Sequence, residues 1–251
     1  MSTEESSIAG NHRVVSHEEW LRERTAFLVK EKQFTRLRDE LNQQRRELPW
    51  ELVTKDYAFE GGNGKASLPE LFDGRSQLVV YHAMFHPNAA TPHSSWTSES
   101  ACENCSFWAD NFNGIIVHLK QRDVTMVAVS RAPYPKLAAY EKRMGWRFKW
   151  FSSGDGDFNF DYGVSFKPDE MASKKAFYNY SFQDPMQSER EGVSVFYKDP
   201  KGVIFHTYSA YARGIDMLNL AYHYLDIVPK GRDEGDRGPY WVRRHDEYEA
   251  E

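Results

Sequence analysis

The sequence predicts a mixed α/β fold, a sheet with flanking helices, and three observations carry that prediction. Two short runs of apolar residues, Leu78-Val79-Val80-Tyr81 and Val124–Val129, read as buried strands. Between them Trp108, Phe112, Ile115 and Leu119 recur at helical spacing, the pattern of a crossover joining parallel strands. Later, Val193–Lys198 and Val203–Tyr208 flank Asp199-Pro200-Lys201-Gly202, which reads as an antiparallel hairpin.

Residues 1–15 read as a disordered lead-in, rich in Ser and Glu near the start. Ser16-His17-Glu18-Glu19 follows as a capping box, in which a Ser hydroxyl and a Glu carboxylate satisfy free helix N–H groups. Trp20, Phe27, Phe34, Leu41 and Leu48 then recur every seven residues, with Leu21, Leu28 and Leu37 widening the stripe. This predicts one long amphipathic helix over about 16–47, stopped by Pro49 and packed on the core. The same stripe suits a homodimer through this helix.

Tyr57–Phe59 reads as a short strand, Gly61-Gly62-Asn63-Gly64 as a turn, and Ser67–Phe72 as a brief helix. The strand opening at Leu78 runs to about Phe85, and residues 86–101 form a polar loop. Arg122-Asp123 turns the chain into the strand at Val124. Pro135 suits the first turn of a helix that continues through Leu137 to Met144 and stops at Gly145. Phe148–Phe151 is a further strand, residues 152–163 a loop, and 165–190 irregular. Leu218–Leu225 reads as a last helix and 231–251 as an extended, charged tail. The domain proper is thus expected over 51–230, after the helical segment 16–50.

Composition narrows the function. Thirty-two Lys+Arg against 37 Asp+Glu gives a net charge of −5, which argues against nucleic acid or an anionic membrane as partner. No apolar run approaches the roughly 18 residues a membrane span needs. A soluble, cytoplasmic protein is expected. Aromatic residues make up 15% of the chain, enough to wall a rigid core or pocket.

The chain has two cysteines, Cys102 and Cys105, in a Cys-x-x-Cys. A secreted disulfide scaffold would carry more, spread apart. The pattern leaves a redox pair, half of a metal site, or coincidence. A helix opening here would stabilise a thiolate through its free N–H groups and dipole. Cys102 would then attack a disulfide, and Cys105 would resolve the mixed disulfide. Glu103, between them, opposes thiolate formation. Phe107 and Trp108 are expected to pack under the motif, and Arg131 to line the site as a cation. The metal alternative is structural zinc on Cys102, Cys105, His82 and His86, with His93 and His118 further candidates; otherwise no cofactor is expected. A third reading is a non-catalytic binding or assembly protein. There Tyr208, Tyr211 and Arg213, with Trp241, Arg243, Arg244 and His245, would line a pocket for an anionic or aromatic ligand. No nucleophile elbow, phosphate loop or calcium loop is present.

Cys102-Glu-Asn-Cys-Ser-Phe-Trp-Ala-Asp-Asn-Phe-Asn-Gly114 and Val129-Ser-Arg-Ala-Pro133 resemble the thioredoxin-like family called domain of unknown function 899. Asp157-Phe-Asn-Phe-Asp-Tyr-Gly-Val164, His206-Thr-Tyr-Ser-Ala-Tyr-Ala-Arg-Gly214 and Trp241-Val-Arg-Arg-His-Asp-Glu-Tyr248 match in the same order, so the likeness spans residues 12–248. The resemblance implies a thioredoxin-like mixed sheet and a dithiol–disulfide oxidoreductase. Its substrate would be a protein or small-molecule thiol or disulfide, with a glutathione or thioredoxin system supplying electrons. The chain departs from ordinary thioredoxins where their cis-proline faces the cysteines, since Glu191-Gly192-Val193 stands there. Peroxiredoxins share that fold and place Thr or Ser three residues before their reactive Cys; Glu99 stands there, so peroxidase chemistry is not expected.

Overall fold

Residues 12–88 and 95–249 are described by the computed structural model. The lead-in through residue 11 lies outside the described residues, as does His93. The chain divides into two compact units, Met1–Pro49 with Tyr224–Asp233, and Trp50–His223 with Glu234–Glu251.

The first unit is dominated by helix α1, His17–Arg46. Ser16 caps it as expected, its hydroxyl accepting the Glu19 N–H at 3.2 Å. Glu18 and Glu19 in the first turn and Arg45 and Arg46 in the last complement the helix dipole. α1 has no buried residue, and Trp20, Phe27, Phe34 and Leu41 along its stripe are about half-exposed.

The second unit is built on an eight-stranded sheet. In chain order its strands are β1 (Glu51–Leu52), β2 (Ala58–Gly61), β3 (Gly64–Ser67), β4 (Gln77–His82), β5 (Val124–Ser130) and β6 (Lys149–Ser152). The small separate hairpin β7 (Ala176–Tyr178) and β8 (Ser181–Gln183) comes next, and β9 (Gly192–Lys198) and β10 (Ile204–Tyr211) complete the sheet. The spatial order is β1-β10-β9-β4-β5-β6-β2-β3. β4, β5 and β6 run parallel, in register from Leu78 opposite Thr125 to His82 opposite Val129. β9 pairs antiparallel with β4 and hairpins into β10. The unit β5-β4-β9-β10, with its crossover leaving the C-terminal end of β4, is the thioredoxin-like arrangement.

Alternation along β4 divides the core. Leu78 and Val80 join Phe59, Leu71, Phe158 and Phe196 on one face. On the other, Tyr81 meets Phe112 edge-on, with ring centroids 5.1 Å apart. Tyr140, Trp146, Phe148 and Trp150 continue that aromatic layer.

The remaining helices are α2 (Leu68–Leu71), α3 (Glu103–Ala109), α4 (Phe112–Lys120), α5 (Tyr134–Arg143), α6 (Phe158–Asp161), α7 (Pro168–Ser173) and α8 (Leu220–Leu225). The single helix expected from Trp108 to Leu119 is two. Asn111 interrupts it by turning its amide back onto the carbonyls of Phe107 and Trp108, at 2.9 and 3.1 Å. The stretch 165–190, expected to be irregular, contains α7 and the β7–β8 hairpin. Asn179 and Tyr180 turn that hairpin with φ of 49° and 62°, the left-handed geometry of a tight hairpin turn. Spacing could not show it, because each strand has only three residues. The charged tail is anchored, since Val242 and Arg244 are both buried.

Candidate functional site: a closed dithiol

Both cysteines lie where β4 hands the chain to α3. Cys102 caps α3, and Cys105 sits in its first turn. The Cys102 amide donates to the Met84 carbonyl at 3.0 Å, and the Met84 amide donates to the Cys105 sulfur at 3.3 Å. The Cys105 amide in turn points at the Cys102 sulfur, 3.5 Å away. Both thiols are free and enclosed, at 0% and 2% exposure.

Burial and hydrogen bonding bias the two thiols in opposite directions. Burial opposes a Cys102 thiolate. Hydrogen bonds with the Cys105 side chain, the Ser95 hydroxyl and the Cys105 amide outweigh burial and bring that thiol below its ordinary value. Burial, followed by the neighbouring Cys102, pushes Cys105 well above its ordinary value. The carboxylate that works against both sulfurs is Glu191, not Glu103 as the sequence suggested. Glu191 precedes β9 and is held by the Tyr178 hydroxyl at 3.3 Å. Glu103 faces Arg244 instead, at 3.5 Å. The described residues contain no cis peptide.

Phe107 and Trp108 follow the cysteines on α3. Trp108 donates its indole N–H to the Ile215 carbonyl at 3.0 Å. Phe107 meets Tyr222 and Trp241 edge-on. Ser106, just before Phe107, joins the Cys102 carbonyl to the Tyr140 hydroxyl through two bonds of 2.8 Å. The C-terminal segment closes the other side. Arg244, 5% exposed, directs two N–H groups at the Ala101 carbonyl, at 3.1 and 2.7 Å, and so spans the residues on either side of Cys102. Arg143 reaches the Ser100 hydroxyl at 2.8 Å and pairs with Asp246 and Glu247.

Arg131 is placed differently from the cation the sequence suggested. Its guanidinium is met by Gly154 at 3.0 Å, Asp155 at 3.2 Å and the buried Glu189 at 3.3 Å, with the Phe160 ring stacked over it. It therefore clamps the ends of β5 and β6 rather than offering a charge to a ligand. The suggested pocket around Tyr208 and Tyr211 is also divided. Tyr211 packs in a small core with Tyr178 and donates to the Tyr162 carbonyl, while Arg213 is exposed beside Asp216.

The histidines of the metal alternative are not gathered at the sulfurs. His82 is fully buried, bonded to Ser194 at 2.9 Å, and burial depresses its pKa to about 3. His86 turns to Arg131 at 3.4 Å. Among the described residues, no three His, Cys, Asp or Glu converge to hold a metal ion. Sequence reasoning missed Glu191, whose charge acts on both sulfurs, and Gln187, which bonds the Ser95 hydroxyl and the Met84 thioether, because both come from a segment without periodicity or motif.

A family profile described as "Bacterial protein of unknown function (DUF899)" matches residues 9–248. No curated protein matches the chain. Among solved structures, the chain is similar to peroxidoxin BcpB from Mycobacterium tuberculosis at 14% identity and a TM-score of 0.42, covering 68% of this chain and 93% of that one. It is similar to peroxiredoxin Q from Xanthomonas campestris at 15% identity and a TM-score of 0.44, covering 72% and 97%. Peroxiredoxin 6 of Arenicola marina matches at 14% and 0.41, covering 71% and 74%. Likeness at this level brings no chemistry with it. No helix among the described residues is long and apolar enough to cross a membrane.

Proposed function

The chain belongs to this family of bacterial proteins of unknown function, and from the site itself we propose that it is a dithiol–disulfide oxidoreductase working through Cys102 and Cys105. The observation that supports this most is the placement of the pair: Cys102 caps α3 with the Cys105 amide aimed at its sulfur from 3.5 Å, and Cys105 lies enclosed one turn on, where burial pushes its thiol up. A nucleophile must be a thiolate near neutral pH, whereas the resolving thiol must wait.

In the forward direction the Cys102 thiolate attacks one sulfur of a substrate disulfide and expels the other as a thiolate. The mixed disulfide is then attacked at the Cys102 sulfur by Cys105, which gives up its proton, and the second substrate thiolate leaves. The substrate gains two electrons, and the two cysteines close a disulfide. The two protons released from Cys102 and Cys105 finish on the departing thiols. A thiol of the glutathione or thioredoxin class would return the pair to the dithiol, which suits a reducing compartment such as the cytoplasm.

The test is a titration in glutathione buffers, with the state of both cysteines read by mass after alkylation and metal content measured on the same sample. A reversible two-electron transition between about −120 and −300 mV supports exchange. A C105S variant should accumulate the mixed disulfide with glutathione, and C102S should not. Absence of any transition, with both thiols alkylated throughout, would overturn the proposal.

A further inference from the structure

The C-terminal segment places two carboxylates on one arginine next to the residues that lead into Cys102. Val242 is buried, and residues 243–248 follow it. Side chains fasten them to the unit. Arg244 reaches the Ala101 carbonyl at 2.7 Å and Glu103 at 3.5 Å, and His245 reaches Asp110 at 2.7 Å. Asp246 and Glu247 both meet Arg143, the last residue of α5.

Arg143 has the geometry of a carboxylate receiver. Its Nε and Nη2 donate to the two oxygens of Asp246 at 2.6 and 2.9 Å, a planar fork on one carboxylate, and Nη2 also donates to Glu247 at 2.8 Å. Hydrogen bonding to Arg143 holds the Asp246 carboxyl below its ordinary range. On its other side, Nη1 donates to the Ser100 hydroxyl at 2.8 Å, and the guanidinium lies 5.6 Å from the Tyr140 ring. Ser100 and Tyr140 belong to the body of the unit, so they brace the guanidinium when the tail carboxylates leave. Ser100 stands two residues before Cys102, no more than about 7 Å of extended chain. A small disulfide with a carboxylate a few bonds from its sulfur spans that order of distance. Both thiols are enclosed, so a disulfide reaches them only when the chain opens.

We infer that Arg143 is a carboxylate-binding residue beside Cys102, that Asp246 and Glu247 occupy it in the closed chain, and that a small disulfide carrying a carboxylate displaces them. The tail thereby acts as a built-in competitor for the substrate's place. The purpose of the site rests on the exchange reading above, and the sulfur chemistry is the step written there; the carboxylate only docks.

The experiment alkylates Cys102 in the full-length C105S chain, where it is the sole cysteine, at pH 7 and 0.15 M salt, which screens exposed charges beyond about 8 Å. Iodoacetate carries a carboxylate and iodoacetamide does not. The ratio of their rates, read by mass, cancels the thiolate fraction and the opening of the chain. Asp246→Asn with Glu247→Gln empties the fork and should raise the iodoacetate-to-iodoacetamide ratio about fivefold, the scale of one exposed ion pair. Adding Arg143→Met should abolish that rise. Adding Lys142→Met, which removes the same charge from the neighbouring position of α5, should keep it. No rise, a rise that survives Arg143→Met, or one lost equally with Lys142→Met would overturn the inference. The same variants are then given dithiodipropionate, which carries carboxylates, and the neutral hydroxyethyl disulfide, with the mixed disulfide on Cys102 read by mass. An Arg143-dependent alkylation ratio in a chain that forms no mixed disulfide would leave the carboxylate site standing and remove the exchange reading. Mixed disulfides formed at rates indifferent to Arg143 would overturn the inference and leave exchange in place.

Discussion

Removing the Arg244 guanidinium should destabilise the C-terminal closure of the dithiol by an amount that follows from its partners. Arg244→Met keeps the apolar stem and deletes the five donors. The Ala101 residue is fully buried, and its carbonyl takes two N–H groups from Arg244. Leaving a buried acceptor unsatisfied costs about 1–3 kcal/mol. The ion pairs of Arg244 with Glu103 and Glu247 involve carboxylates that are 42% and 32% exposed. They add under about 1 kcal/mol together, and Glu247 keeps Arg143 as a partner. The sum is about 1–4 kcal/mol, which lowers the unfolding midpoint by roughly 2–16 °C for a chain of this size. Differential scanning calorimetry at pH 7 measures it, and Arg244→Lys should recover little, because one ammonium cannot reproduce the planar fork. Iodoacetamide should label Cys102 faster in the Met variant, since the segment spanning residues 101–103 is no longer pinned. A loss below about 0.5 kcal/mol, with labelling unchanged, would refute the assignment of Arg244 as the pin.

Three further outcomes are expected. Burial raises the Glu189 carboxyl to about 7 despite Arg131, so its folded value lies above the ordinary one. Its contribution to stability is therefore fully present below about pH 4.5 and lost as pH rises through about 7. Urea unfolding at pH 5 and pH 8 should show a smaller fall in Glu189→Gln than in the parent, and equal falls would contradict the assignment. His82, Ser194, Ser209, His206 and Glu51 form a hydrogen-bonded chain across four strands, with steps of 2.9, 2.9, 2.7 and 3.2 Å. Glu51 requires the proton on His206 Nδ1, so each hydroxyl donates outward and the buried His82 donates from Nε2. Ser194→Ala strands that donor and should cost about 1–3 kcal/mol in urea, whereas Glu51→Gln at the exposed end should cost little. Sedimentation should find a dimer that Phe27→Glu with Phe34→Glu converts to monomer, because these residues lie half-exposed along α1; a monomeric parent at micromolar concentration would contradict it.

The strands and helices with a strong local signal were legible beforehand. Leu78–Tyr81 and Val124–Val129 are runs of apolar residues flanked by turns, and β4 and β5 formed there as a parallel pair. Ser16 announced α1, and Asp199-Pro200-Lys201-Gly202 announced the β9–β10 hairpin. Asn111 was not legible as a helix break, since the same side chain is harmless when it faces solvent. Arg131 shows the same limit. The sequence gives its charge and its place after a strand, but only the fold brings Glu189, from 58 residues away, against it.

The sequence by itself determined which chemistry is available, two thiols three residues apart at the mouth of a parallel strand, and which elements present them. Tertiary structure decided what those thiols are. Glu191 and Arg244 act on the pair or on the residues flanking Cys102 from segments up to 142 positions distant from it in the chain. Neither of them belongs to a periodic pattern, because each is held by hydrogen bonds or charge at one point in space. A thiol's ionisation depends on what lies within a few ångströms of its sulfur, and in this chain those neighbours are set by the packing of loops on the sheet's C-terminal edge.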